Sequence, residues 1–281
     1  VNMLNNAISQ NPDGIALAAC DQNSVLESLQ TALDNEIPVV CFDTGVPEAP
    51  EGSVYATIAT DNEAAGAVAA ENMYEVIKDT IANATEPVRI GEVNQDATAA
   101  NIIGRGMGFI NKMKELIEAD GKTVAVIGNQ LYVDSVENNG DEASADVIIE
   151  VAVPSQTTVE LSSTEAANIM NKEDTIAIFG SNQVTAEGVL TANQNLNVLA
   201  ATPDEGIVGV GFDAGATLKA AVADGTLIGA VTQAPVDQGR LAIETLYKIC
   251  EGEEVEDIAT DSYWYDAENM EEETIAPNLY D

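Results

Sequence analysis

Histidine is absent from this chain of 281 residues. That removes Ser-His-Asp and Cys-His nucleophilic catalysis, histidine metal sites and any histidine proton shuttle. Cations are scarce as well: 10 Lys and Arg face 48 Asp and Glu, a formal net charge of −38. A surface so acidic repels nucleic acid and anionic lipid headgroups, and it has few cations with which to hold an anionic substrate. An uncharged ligand is favoured. Cysteine is limited to Cys20, Cys41 and Cys250, without CxxC spacing; in their apolar or amphipathic segments they read as buried free thiols. No apolar run approaches the ~18 residues of a membrane-spanning helix. The chain opens on Val1 rather than methionine. The expectation is a processed or partial product, so a missing leader says little about address.

What is present is a core. With 46% hydrophobic residues and only 21% charged, the chain can bury a substantial interior, and its length suits two domains of ordinary size. Short apolar runs alternate with amphipathic stretches. Strands are predicted near residues 14–19, 37–42, 54–59, 88–93, 123–127, 147–153, 176–179, 207–212 and 227–232. Between them, Ala69, Met73, Val76 and Ile77 follow helical spacing, as do Leu218, Ala221 and Val222, and then Ala242, Leu246 and Ile249. Alternation of this kind predicts an α/β fold with parallel sheets flanked by helices and right-handed crossovers. Nine strands exceed one ordinary sheet of this type, which points to two Rossmann-like lobes.

Four of the apolar runs end on a planar polar side chain: Phe42-Asp43, Ser181-Asn182, Phe212-Asp213 and Thr232-Gln233. In open α/β sheets, ligands bind at the carboxyl ends of the strands. Carboxylates and carboxamides there suit the hydroxyls of a neutral polyol. Each residue also has a plainer reading. Asp43, before Thr44-Gly45, can open a turn, and Asn182 and Asp213 can cap the helices that follow. Gln233 is harder to explain so, because Gln is not a preferred cap or turn residue. Four hits at equivalent positions favour a binding site.

Residues spread along the chain carry a family resemblance. Asn11-Pro12-Asp13-Gly14-Ile15, Ile37-Pro38-Val39-Val40, Asp61-Asn62 with Gly66, Val208-Gly209-Val210-Gly211-Phe212-Asp213, and Thr232-Gln233 followed by Gln238-Gly239 occur in that order. From about residue 2 to residue 262 the chain resembles a type I periplasmic binding protein, the ribose-binding-like group of sugar ABC-transporter substrate-binding proteins. The resemblance implies two lobes joined by a three-stranded hinge, closing on a monosaccharide-like solute and delivering it to a membrane permease. It places residues 1–60 and 234–262 in the amino-terminal lobe and residues 61–233 and 263–281 in the other. Hinge crossings fall near Thr60, Gln233 and Ser262. Asp43, Asn182, Asp213 and Gln233 fall on ligand-binding positions of the family. The family's ligand-binding arginine falls on Ile103, while Arg105 matches a neighbouring arginine. The resemblance further implies a monomer acting outside the cytoplasm, in a periplasm or lipid-anchored at the outer face of the membrane, with no cofactor and no metal. The family's opening strand, with its stacking aromatics, is expected to be missing here.

Other constellations have simpler readings. Gly104-Arg105-Gly106-Met107-Gly108 fits no phosphate-binding spacing and lies in a helical pattern, so close helix packing accounts for it better. Arg105 is either a crevice-facing donor or a partner for carboxylates. Residues 128–146 read as an extended acidic loop rather than a calcium site, since the EF-hand pattern is lacking. Tyr263-Trp264-Tyr265 reads as an edge strand. Two rival functions stand beside transport. A glycosidase using Asp43 and Asp213 would need one raised pKa, and no apolar pocket for it is visible. A regulator of the lac-repressor type would need a basic helix-turn-helix module.

Overall fold

A computed structural model of the chain describes every residue except Cys20. In chain order, the first elements are α1 (Asn2–Ser9), β1 (Ile15–Leu17), α2 (Leu26–Asp34), β2 (Val39–Phe42), β3 (Val54–Thr60) and α3 (Asn62–Asn83). Next come β4 (Val88–Val93), α4 (Ala100–Ala119), β5 (Val124–Gly128), α5 (Gln130–Ser135), β6 (Val147–Ala152), α6 (Val159–Met170), β7 (Thr175–Gly180) and α7 (Gln183–Leu196). The last are β8 (Leu199–Ala200), β9 (Ile207–Phe212), α8 (Ala216–Ala223), β10 (Gly229–Gln233), α9 (Pro235–Cys250), β11 (Ile258–Thr260) and β12 (Ser262–Tyr265). The described residues divide into two units, Val1–Asp61 with Ala234–Asp261 and Asn62–Gln233 with Ser262–Asp281. The chain thus passes between units after Asp61, Gln233 and Asp261.

The first unit is a parallel sheet in the order β1-β2-β3-β11. β2 is buried on both faces, which is why it reads as an unbroken apolar run. Successive side chains point to opposite faces. Val39 and Cys41 accordingly join Leu4, Ile8 and Leu29 of α1 and α2. Val40, between them, packs with Ile58 of β3 and with Ala242 and Leu246 of α9. At the ends of β3 and β11, Thr60 and Thr260 lie in register. The buried Gln238 of α9 donates to both hydroxyls, at 2.9 and 3.2 Å.

The second unit holds a sheet in the order β12-β10-β9-β7-β4-β6-β5, with β8 beside β9. Every pair is parallel except β10–β12. Tyr263-Trp264-Tyr265 forms the antiparallel edge, as its composition predicts. On one face, Ile90, Phe179, Val210 and Phe212 pack with Met73 and Ile77 of α3 and Phe109 and Met113 of α4. On the other, Val93 and Ile178 meet Ile169 of α6 and Val189 of α7. The glycines of α3 and α4 serve a close helix crossing. A Cβ on Gly66 would run into the Arg105 carbonyl, and one on Gly108 into the Glu63 carbonyl.

Two expectations need correction. Residues 128–146 do not form an extended loop throughout. They contain α5, whose Tyr132 is fully buried, while Asn139 satisfies the edge of β5. Its carboxamide accepts from the Val126 N–H at 2.8 Å and donates to the Val126 carbonyl at 2.9 Å, as a further strand would. The acids around Tyr132 hide this short apolar contact from a composition reading. Cys250 is exposed rather than buried, whereas Cys41 is buried; Cys20 lies outside the described residues. The inward stripe of α9 runs through Ala242 and Leu246, and Cys250 is eight residues after Ala242, far enough for the 3.6-residue period to carry it off that stripe at the helix end.

Candidate functional site

Asp43 and Asp213 are built by the same local device, one in each unit. Each follows a buried strand directly, β2 or β9, and each has a positive φ, 61° and 71°. Each backbone N–H donates to the neighbouring strand, Asp43 to the Ile58 carbonyl at 2.8 Å and Asp213 to the Val231 carbonyl at 2.7 Å. The ladder is thereby extended by one bond, and the left-handed turn then swings the chain out of the sheet. Asp tolerates this conformation better than most residues, but it still costs of order 1 kcal/mol. At Asp43, the Thr44 hydroxyl donates to Oδ2 at 3.1 Å.

In the second unit, the sequence-predicted residues come together. Asp213 Oδ1 accepts from Gln233 Nε2 at 2.7 Å, and Oδ2 accepts from the Gln183 N–H, the first residue of α7, at 3.2 Å. The positive end of the α7 dipole therefore faces a carboxylate. Asp213 does not cap the helix that follows it, since Gly215 holds that position. Tyr265 donates its hydroxyl to the Asp213 carbonyl at 2.8 Å, fixing the turn from below; burial pushes that phenol well above its ordinary pKa. Gln233 ends β10 opposite Ser262 of β12.

Asn182 does take the capping role. Its Oδ1 accepts from the Thr185 N–H at 3.0 Å, and the Thr185 hydroxyl completes the capping box. Its Nδ2 donates to Gln95 Oε1. Arg105 is almost fully buried, with its guanidinium carbon 3.7 Å from the centre of the Phe212 ring. It donates to Asn62 Oδ1 at 2.9 Å and to the Ser181 carbonyl at 2.9 Å, and lies 3.9 Å from Asp213 Oδ2. One of these contacts is to a carboxylate, that of Asp213. Arg240, by contrast, is exposed on α9 and paired with Asp237 and Glu244.

Sequence reasoning missed Gln95, Asp96 and Gln183. The signal for the first two was present, because Val88–Val93 also ends in planar polar groups, Asn94-Gln95-Asp96. Burial pushes the Asp96 carboxyl up, but the N–H groups of Ala99 and Thr98 more than offset it, and the group lies below its ordinary pKa. Asp96 so anchors the turn into α4. The assembled groups are neutral amides and one carboxylate with helix dipole and guanidinium behind it. They can exchange hydrogen bonds with hydroxyls, and no nucleophile with an adjacent base is among them.

Comparison with known proteins identifies the family. Residues 1–254 match the model described as periplasmic binding protein domain, and the chain belongs to that family. A solved structure described as an ABC transporter, LacI family transcriptional regulator from Brachyspira murdochii is 31% identical, with a TM-score of 0.82 over 100% of this chain and 84% of that one. An ABC transporter solute-binding protein from Agrobacterium vitis with bound D-fucose is 25% identical, TM-score 0.73, over 99% of this chain and 83% of that one. Another from the same organism, bound with α-D-tagatopyranose, shares the fold at 19% identity, TM-score 0.74, with 100% and 84% covered. Comparison with curated proteins gives no match. The fold is that of the sugar ABC-transporter solute-binding proteins of type I.

Proposed function

We propose that this chain is the extracytoplasmic solute-binding component of an ABC transporter, taking a neutral monosaccharide and delivering it to a membrane permease, without catalysis. The observation that carries this reading is the Asp213–Gln233 pair at the ends of β9 and β10, a carboxylate and a carboxamide already hydrogen-bonded and backed by Arg105. A sugar hydroxyl donates to the carboxylate and accepts from the amide, so one polyol satisfies both. Asn182 contributes by exchanging Gln95 for a ligand hydroxyl at Nδ2, and Asp43 contributes a second carboxylate from the other unit. The two units act as the lobes of the clamp, with Thr60, Gln233 and Ser262 at the hinge crossings. Membership of the family and the D-fucose bound by the Agrobacterium vitis protein support a monosaccharide. The net charge of −38 speaks against an anionic one.

A second reading rests on the Brachyspira murdochii protein, whose description also includes a LacI family regulator. On that reading the same sugar site senses rather than transports. The upstream coding sequence separates them: a secretion or lipoprotein signal means transport, a helix-turn-helix means regulation. The sugar site itself is tested by a thermal-shift screen of pentoses, hexoses, polyols, nucleosides and sugar phosphates. Ligand bound only by the folded state raises the melting temperature, by about 2.7 kcal/mol of added stability at a hundred times Kd. A neutral monosaccharide is expected to give the largest shift. A shift with sugar phosphates alone would overturn the proposal.

A further inference from the structure

Beneath the end of β4 lies a carboxyl group that the sugar site does not use. Glu92 is fully buried on β4, an interior strand of the second unit's sheet, where its register partners are Val151 of β6 and Phe179 of β7. Glu150 falls one position earlier in that register, on the opposite face, where it pairs with Arg89 and Lys172. Among the described residues, no cation pairs with the Glu92 carboxyl. Its one hydrogen-bond partner among the described residues is Asn94, also fully buried, whose Nδ2 donates to Glu92 Oε1 at 2.7 Å.

Two buried acceptor atoms remain without a partner in this pair, Glu92 Oε2 and Asn94 Oδ1. They belong to the two side chains already joined by the first bond. An isolated ionised carboxylate so placed is strongly disfavoured, and an orphaned amide oxygen adds to the cost. One proton on Oε2 removes both defects. We infer that Glu92 is a neutral carboxylic acid in the folded protein, donating from Oε2 to Asn94 Oδ1 and closing a two-hydrogen-bond ring between the side chains. The ring has a place reserved for it, because a Cβ on Gly106 of α4 would come within 2.5 Å of Asn94 Nδ2 and 2.8 Å of Glu92 Oε1.

The surroundings favour the neutral form. Tyr132 of α5 is buried near Glu92, and burial pushes its phenol far above its ordinary pKa. Asp96, two residues after Asn94, turns its carboxylate to the N–H groups of Thr98 and Ala99. Arg105, next to Gly106 on α4, directs its guanidinium to Asn62, Ser181 and Asp213 instead. Burial raises the Glu92 carboxyl well above the ordinary range. The ring also fixes where the chain leaves β4. The Asn94 N–H continues the ladder to the Ala152 carbonyl at 2.9 Å, and the next residue is Gln95, the partner of Asn182. Glu92 is thus a positioning residue for that end of the sheet, independent of which ligand is bound.

The test compares wild type with E92Q, which presents the same donor and acceptor at every pH. Infrared spectra of the folded wild type at neutral pH should contain a protonated-carboxyl C=O band that disappears on unfolding and is missing from E92Q. Because a proton is released on unfolding, the wild-type folding constant should fall relative to E92Q by up to tenfold per pH unit above the ordinary Glu pKa of about 4.3. Absence of the band from folded wild type would overturn the inference, whether or not E92Q folds. So would parallel pH curves for the two proteins. A wild-type stability that depends on added sodium or calcium, and not on pH, would assign the two orphaned oxygens to a cation instead.

Discussion

A single residue type recurs at a single kind of position here. Asp213 and Asp43 both occupy left-handed backbone immediately after a buried strand, where a strained conformation is retained although glycine would adopt it without strain. Asp96, in contrast, is used for structure, since its Oδ1 gathers the N–H groups of Thr98 and Ala99 at the entry to α4. Its carboxyl lies below its ordinary pKa despite the upward push of burial. The sign follows directly. A depressed folded pKa contributes stability that is present above the unfolded value, about 3.9, and is lost as pH falls through the folded one. Acid denaturation curves should therefore show wild type losing stability relative to Asp96→Asn below about pH 4, with the two running parallel from pH 5 to 7. A constant offset down to pH 2 would contradict this.

Among the elements, the α3–α4 pair sets the tightest constraint. Its glycines are not equivalent, although the sequence presents Gly104, Gly106 and Gly108 as one cluster. At Gly66 a side chain would strike the backbone of the facing helix, whereas at Gly104 it would meet only side-chain carbons of Asn62 and Glu63 at 3.7 Å. Gly66→Ala should cost roughly 1–3 kcal/mol or more through overpacking. Gly104→Ala should stabilise by roughly 0.5–1 kcal/mol, since Ala is the better helix former. Chemical denaturation of both variants checks the contrast, and equal effects would refute the packing account.

The same scale shows what could be seen in the sequence. A strand such as β9 is buried on both faces and announces itself as an apolar run. β8 and β11, of two and three residues, carry too little pattern to be found. The strand-end logic singled out Asp43, Asn182, Asp213 and Gln233 as candidates, but it stopped short at β4. There Glu92 interrupts the apolar run, and the polar triplet 94–96 looks like ordinary loop. That Gln95 meets Asn182, or that Arg105 lies under Asp213, depends on strand order. No local spacing encodes that order.

For the whole molecule, the proposed function is recognition of a neutral sugar by a strongly acidic chain with the type I binding-protein fold. Its central claim is that Asp213 accepts hydrogen bonds from a neutral sugar. Hydrogen bonds to charged groups contribute about 1.5–3 kcal/mol each, so Asp213→Ala should weaken binding by roughly ten- to a hundredfold. Calorimetric titration of wild type and Asp213→Ala with the monosaccharide that gives the largest thermal shift is the most direct measurement. The account predicts saturable binding to wild type and at least tenfold weaker binding to the variant, with folding affected much less. Wild-type affinity in a variant whose melting temperature has fallen would contradict it, leaving Asp213 as a structural brace for α7 and β10.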